Sequence, residues 1–237
     1  MAVEKFVVEA VLFDMDGTLV DSTAGVVGAW ETFAEKYPGL NVTEILNTAH
    51  GVRTVENLER YCGITDPDIL EKEATRFEKE IVNSSKKNGR QGIVMLPGVR
   101  EIMQELEPGR SLPKPCWTIC TSATREYASA ALQITGVPVP EVFVAAEDVT
   151  QGKPAPDPYL LGAQKAGADP AKCLVVEDAP SGIRSGQAAG CKTLALITSH
   201  TRDQMEACKP DYLVPNLSAV TMKRVEGGVE VTINVSL

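Results

Sequence analysis

The sequence predicts an α/β chain: a parallel sheet flanked by helices, interrupted early by an all-helical insertion and followed by a C-terminal β-hairpin. Three observations predict it. Apolar runs of strand length alternate with segments of helical period beyond residue 92, as in a parallel sheet covered by helices. Between residues 22 and 91 that rhythm fails, and helical patterns follow one another without a convincing strand. The C-terminal VTMKRVEGGVEVTINV alternates apolar and polar residues around Glu-Gly-Gly, which is a hairpin signal. The expected domains are a core of residues 1–21 with 92–237 and a cap of residues 22–91.

Taken in chain order, residues 10–13 (AVLF) form the first expected strand. Helices follow over residues 24–36, 54–61 and 67–82, in which Trp30, Phe33 and Tyr37 fall at helical spacing and suit the insertion's own apolar core. The polar, glycine-bearing NSSKKNGRQG returns the chain to the core, so Asp21-Ser22 and residues 88–92 are the expected hinges. Helix 99–107, strand 116–120, helix 125–133 and strand 142–145 come next. Helix 157–166, strand 173–176, helix 181–189, strand 193–197, helix 202–207 and strand 212–214 complete the alternation.

Composition narrows the function classes. With 237 residues, 43% of them hydrophobic, the chain can bury a sizeable core. A net charge of −9 argues against a nucleic-acid surface, which needs a basic stripe to neutralise phosphates. No run approaches the ~18 apolar residues of a membrane span, and the N-terminal MAVEKFVVEA lacks a signal peptide's apolar stretch. The expected location is cytoplasmic. The six cysteines show no paired metal-type spacing, so reduced structural thiols are expected. No strong interface signature is evident, and a monomer is expected.

In a parallel α/β sheet, ligands gather beyond the carboxyl ends of the strands. Asp14 and Asp16 follow the first strand, Thr121, Ser122 and Ala123 the second, and Glu177 and Asp178 the strand 173–176. Lys153 stands in GKPAPDPY just ahead of a helix. Each has a chemical use at one edge. Asp14 can attack an electrophilic phosphorus as nucleophile. Asp14, Asp178 and the Asp16 carbonyl can offer oxygens to Mg2+, which keeps several waters and takes one or two protein carboxylates. The Asp16 side chain is then free to act as general acid and base. Gly17 allows close backbone approach. Thr121, Ser122 and the following turn can hold phosphoryl oxygens, with Lys153 as a compact positive charge.

FDMDGT, the TS of ICTSAT, the K of QGKPAPDPY and the ED of VVEDAPSG resemble the four signature motifs of the haloacid dehalogenase superfamily. AHGVRT, QGKPAPDPYL and VVEDAPSGIRSGQAAG are more narrowly similar to fungal sugar- and polyol-phosphate phosphatases, which act on 2-deoxyglucose-6-phosphate or glycerol phosphate. The resemblance implies a Rossmann-like core, a mobile helical cap, Mg2+ and a phospho-aspartate intermediate. It implies Asp14 as nucleophile, Asp16 as acid and base, Thr121 and Lys153 on the phosphate, and Asp14, Asp16 and Asp178 at the metal. Glu177 matches a neighbouring acid acting through water. One departure is Ala123, where many relatives carry glycine.

Arg53 and His50 of AHGVRT lie in the cap region, where the arginine is expected to reach a substrate hydroxyl or phosphate on closure. His200 is expected to be structural. The expected function is hydrolysis of small phosphomonoesters. The alternatives are a phosphomutase using the same intermediate and a non-catalytic sugar-phosphate sensor. The segment DSTAGVVGAW has no histidine, against a mutase, and retention of both Asp14 and Asp16 argues against a sensor. Dehalogenation is disfavoured by Asp16, and phosphonate cleavage by the lack of a recognisable setting for Lys36 or Lys72.

Overall fold

The structure, a computed structural model, describes residues 2–235; residues 1, 236 and 237 of the expected core lie outside them. The elements in chain order are β1 (Ala2–Val8), β2 (Ala10–Phe13), β3 (Val20–Asp21), α1 (Thr23–Lys36), α2 (Val42–Thr48), α3 (Thr54–Cys62) and α4 (Pro67–Ser84). They continue with β4 (Val94–Met95), α5 (Val99–Leu106), β5 (Trp117–Ile119), α6 (Arg125–Thr135), α7 (Asp157–Ala166) and β6 (Cys173–Glu177). The last are α8 (Pro180–Ala188), β7 (Lys192–Leu196), α9 (Arg202–Glu206), β8 (Tyr212–Val214), β9 (Val220–Val225) and β10 (Gly228–Val235).

The central sheet is five-stranded, ordered β5-β2-β6-β7-β8, with every pairing parallel. All four residues of β2 and all five of β6 are buried, as expected of strands covered on both faces. Their side chains alternate between two layers. Val11, Phe13, Leu174 and Val176 join the larger core with α5 and α6, whereas Leu12 and Val175 pack with Tyr159 and Ala163 of α7. Ile183 of α8, Ala195 of β7 and Met205 of α9 form a third cluster.

The C-terminal hairpin is present as β9 and β10, turned by Glu226-Gly227. Its partner was not expected: β1 pairs antiparallel with β10 over the register Ala2↔Val235 to Val8↔Val229. Expected strand 142–145 reduces to a single bridge between Val144 and Cys120. Val144 makes two backbone bonds to the chain at β5, but the Ala145 amide turns to the Asp148 carboxylate at 3.0 Å and ends the ladder.

The helices α1 to α4 leave and return through β3 and β4, which pair antiparallel and so tie both crossings together. Helix α2 was not expected. Trp30, Phe33 and Phe77 form this segment's aromatic core, with Phe77 4.6 Å from Trp30 and 4.9 Å from Phe33 between ring centroids. Tyr37 stacks on Phe33 and donates its hydroxyl to Glu73. The six cysteines are free. Among the described residues, no helix is long and apolar enough to cross a membrane.

Candidate active site

The site is built at the carboxyl edge of the central sheet because three strands end there. The Asp14 amide, just past β2, bonds the Val176 carbonyl of β6 at 3.0 Å, so the acids following both strands are brought side by side. Asp14, Glu177 and Asp178 are buried, and each offers an oxygen within 4.8 Å of the others. Lys153 reaches them from the loop before α7. Its ammonium, with the side chain wholly buried, lies 2.5 Å from Asp14 and 2.7 Å from Glu177.

Glu177 is a holder. Its Oε1 accepts from Lys153 and from the Tyr159 hydroxyl at 2.7 Å, and its Oε2 accepts from the amides of Asp178 and Ala179 at 3.1 Å each. Four donors match the roughly four acceptor positions of a carboxylate. These contacts serve to orient Lys153 and the turn carrying Asp178.

Asp178 differs. Oδ1 accepts from the Thr18 hydroxyl at 3.2 Å, but Oδ2 is buried without a hydrogen-bond partner. The His50 Nε2 is 2.9 Å from that oxygen, but the hydrogen bond it makes is to the Asp16 carbonyl, at 3.2 Å. A buried carboxylate oxygen without a hydrogen bond, beside a second carboxylate and a backbone carbonyl whose partner is His50, is a donor set for a hard cation. Mg2+ fits it, with Asp14, Asp178 and the Asp16 carbonyl as the groups that would hold it. Gly17, at φ +82°, lies so close that a Cβ there would collide with the Asp178 carboxylate.

The Asp16 side chain turns away from the other acids. Its Oδ1 accepts from Ser22 at 2.5 Å and from the Tyr127 hydroxyl at 2.9 Å. Burial raises its pKa, with the two hydroxyls opposing. Burial also raises Asp14 well above the usual range; Lys153 opposes, and Glu177 and Asp178 add to the rise. Burial works against the charge on His50, yet Asp178 and the neighbouring acids lift it to about 10. For Asp178 burial pushes upward, and His50, helped by Ser199 and His200, more than reverses it, leaving a lowered value. A divalent cation here would act as the largest local charge and favour every ionised carboxylate around it.

Thr121 is oriented by the Ala123 amide, which donates to its Oγ1 at 3.1 Å. The Ala123 side chain packs in the larger core. Ser122 and Ser181 both donate to the Gly51 carbonyl at 3.2 Å, which docks the α2–α3 loop onto the sheet edge. A Cβ on Gly51 would lie 2.6 Å from that of Ala179, so glycine permits this approach. Between the helical segment and the edge lies a cavity of about 110 Å³. Asp14, Asp16, Thr121 and Ser122 line its reacting end, and Val26, Trp30, Leu46 and Phe77 its apolar wall.

Arg53 is placed differently from expectation. Its guanidinium bonds Glu56 at 2.6 Å and the Thr150 carbonyl at 3.4 Å, outside the residues lining this cavity. Glu56 follows three residues later on the first turn of α3 and captures it. His200 also has a partner that sequence reasoning missed: its Nδ1 bonds the Asp178 carbonyl at 2.9 Å, and its ring lies 5.8 Å from that of His50. Tyr127, Tyr159 and Glu78 were missed entirely, since a tyrosine or glutamate within a helix carries no local sign of what it meets across the fold.

The family described as haloacid dehalogenase-like hydrolase matches residues 8–190. Among curated proteins, hexitol phosphatase A of Escherichia coli is 39% identical over 218 residues, covering 92% of this chain and 95% of its own. Glycerol-1-phosphate phosphohydrolase 1 of Saccharomyces cerevisiae is 34% identical, covering 90% and 84%. The same yeast's 2-deoxyglucose-6-phosphate phosphatase 1 is 30% identical, covering 97% of each. Among solved structures, a hydrolase from Pseudomonas syringae shares the fold with a TM-score of 0.71 at 24% identity, covering 88% of this chain and 93% of its own.

Proposed function

The chain belongs to the haloacid dehalogenase-like hydrolases, and on that premise we propose that it is a Mg2+-dependent phosphatase of small sugar or polyol phosphates. The observation that carries the reading is the meeting of Asp14, Lys153 and Asp178 at the sheet edge, where Asp14 and Asp16 line the cavity, in a chain whose curated relatives are named phosphatases of such compounds. Residues 22–91 serve as the cap.

In this reading the Asp14 carboxylate attacks phosphorus, and the bond from phosphorus to the leaving oxygen breaks as the aspartyl-phosphate bond forms. Asp16 gives its proton to the departing alkoxide and then takes one from the water that hydrolyses the phospho-aspartate. Ser22 and Tyr127 hold one Asp16 oxygen, which fixes the direction of the other. Thr121, Lys153 and the Ser122 backbone amide bind the phosphoryl oxygens, and Glu177 aims the lysine. When bound, Mg2+ supplies positive charge that offsets repulsion between the acids and the phosphate dianion. Docking of Gly51 on Ser122 and Ser181 excludes bulk water during transfer.

Phosphoryl return to a sugar, the mutase outcome, ranks second because the relatives at 30% identity or more reported above are phosphatases. The test is phosphate release from a panel of hexitol, glycerol, 2-deoxyglucose and other hexose phosphates and a nucleotide, with Mg2+ or EDTA. Release from polyol or hexose phosphates that EDTA abolishes is expected. No release from any phosphomonoester would overturn the reading, and transfer within a hexose phosphate without release would favour the mutase.

A further inference from the structure

Apart from His50, the wall that the helical segment gives to the cavity has one sign of charge. Among the described residues lining it, none is a lysine or arginine, and the cations adjacent in sequence to lining residues, Arg53, Arg76 and Lys79, pair outside it with Glu56, Glu73 and Glu126. His50 points the other way, to the Asp16 carbonyl and Asp178. The carboxylate this wall does carry is Glu78 of α4, only 3% exposed.

Glu78 sits at the seam between the helical segment and α6, lining the cavity and two outer clefts. Its Oε1 accepts from the Thr54 hydroxyl at 2.8 Å and the Thr124 amide at 3.2 Å, and its Oε2 accepts from the Thr124 hydroxyl. No ion pair to it is found among the described residues. Three donors leave one of a carboxylate's roughly four acceptor positions open. A buried carboxylate with no cation is costly and calls for a functional explanation. An apolar wall interrupted by one such acceptor suits a ligand with hydroxyls and no further charge, since a second anion would meet like charge without compensation.

We propose that Glu78 is a specificity residue that accepts a hydrogen bond from a hydroxyl on the substrate's tail and rejects tails carrying a second anion. This rests on the phosphatase reading and narrows it to monophosphates of neutral, polyhydroxylated chains, as opposed to bisphosphates and phosphorylated carboxylates. It also gives the mutase outcome a second obstacle, because the cation on this wall, His50, is already engaged by Asp178 and leaves a second phosphate without a partner.

The experiment is calorimetric binding at pH 8 with Mg2+ to the Asp14→Asn chain, which does not consume its ligand. The probes are a hexitol 6-phosphate and the matching hexitol 1,6-bisphosphate. Burial lifts Glu78 to about 7, so it is mostly ionised at this pH. The bisphosphate is expected to bind at least about a hundredfold more weakly. Adding Glu78→Gln should cut that ratio by about tenfold or more and weaken the monophosphate several-fold. Glu78→Asp, which keeps the charge, should keep the discrimination. Equal affinity for both ligands overturns the proposal, as does binding of neither. A Glu78→Gln chain that loses both affinities in parallel does so too, because a merely structural role leaves the ratio alone. Turnover of p-nitrophenyl phosphate by the unsubstituted chain reports separately on the phosphatase reading. Charge discrimination without turnover would sink that reading alone.

Discussion

Lys153 illustrates how far one side chain can be committed. Its ammonium is buried between Asp14 and Glu177, and both acids hold its pKa above the ordinary lysine value against burial, which opposes the charge. Removing one partner of a buried pair strands the other charge, which costs about 3 to 5 kcal/mol. Lys153→Met should therefore lower the urea-unfolding free energy by that order, and pairing it with Glu177→Gln should restore part of the loss. A Lys153→Met chain as stable as the parent would show that the ammonium serves the phosphate alone. Asp14→Asn makes the opposite prediction. It removes the nucleophile with little change of volume, so turnover should fall by at least about 10⁴-fold while circular dichroism stays unchanged. Residual activity within tenfold of the parent would remove Asp14 from its role.

At the scale of elements, α4 meets α6 through Glu78 and the Thr124 that caps the helix. Burial raises Glu78 from its ordinary 4.5 to about 7, with the threonine donors opposing. A raised acid holds its proton more tightly when folded, so this contribution is complete below pH 4.5 and is lost as pH rises through 7. The gap in unfolding free energy between the parent and Glu78→Gln should shift against the parent by on the order of 2 to 3 kcal/mol between pH 4.5 and pH 8. A gap that stays flat would mean Glu78 keeps an ordinary affinity for protons. None of this pairing is legible in the sequence, whereas the order of strands and helices in the core largely is. Residues 10–13 and 173–176 are short apolar runs whose period survives without a partner. By contrast, β1 exists because Ala2–Val8 lies against the far end of the chain, and its exposed Val3 and Val7 blur the alternation. Residues 142–145 are apolar enough for a strand, yet the Asp148 carboxylate diverts the Ala145 amide. The site acids were legible because each follows a strand end. Arg53 is held outside the cavity by Glu56, three residues along a helix, a local competitor that the motif AHGVRT does not contain.

For the whole molecule, the sheet edge concentrates charge of one sign in a chain that is already acidic, with a net charge of −9. Asp14, Asp16, Glu177 and Asp178 face Lys153 and His50 as their cations, which leaves an excess of negative charge in a buried space. Among the buried side-chain oxygens of the described residues, Asp178 Oδ2 is the one left without a hydrogen bond. A cation that binds only the folded chain stabilises it by mass action, about 2.7 kcal/mol at a hundred times its dissociation constant. For a chain of this size each kcal/mol moves the midpoint by about 2 to 4 °C. Saturating MgCl2 should thus raise the thermal midpoint by about 5 to 10 °C over NaCl of equal ionic strength, and EDTA should reverse it. Asp178→Asn should abolish the shift, because it removes the negative charge and leaves a neutral amide with one oxygen, a much weaker ligand for a hard cation. Glu177→Gln should retain most of the shift, since the Glu177 oxygens are occupied by Lys153, Tyr159 and two amides. Loss of the shift in Glu177→Gln with retention in Asp178→Asn would move the cation from Asp178 to Glu177.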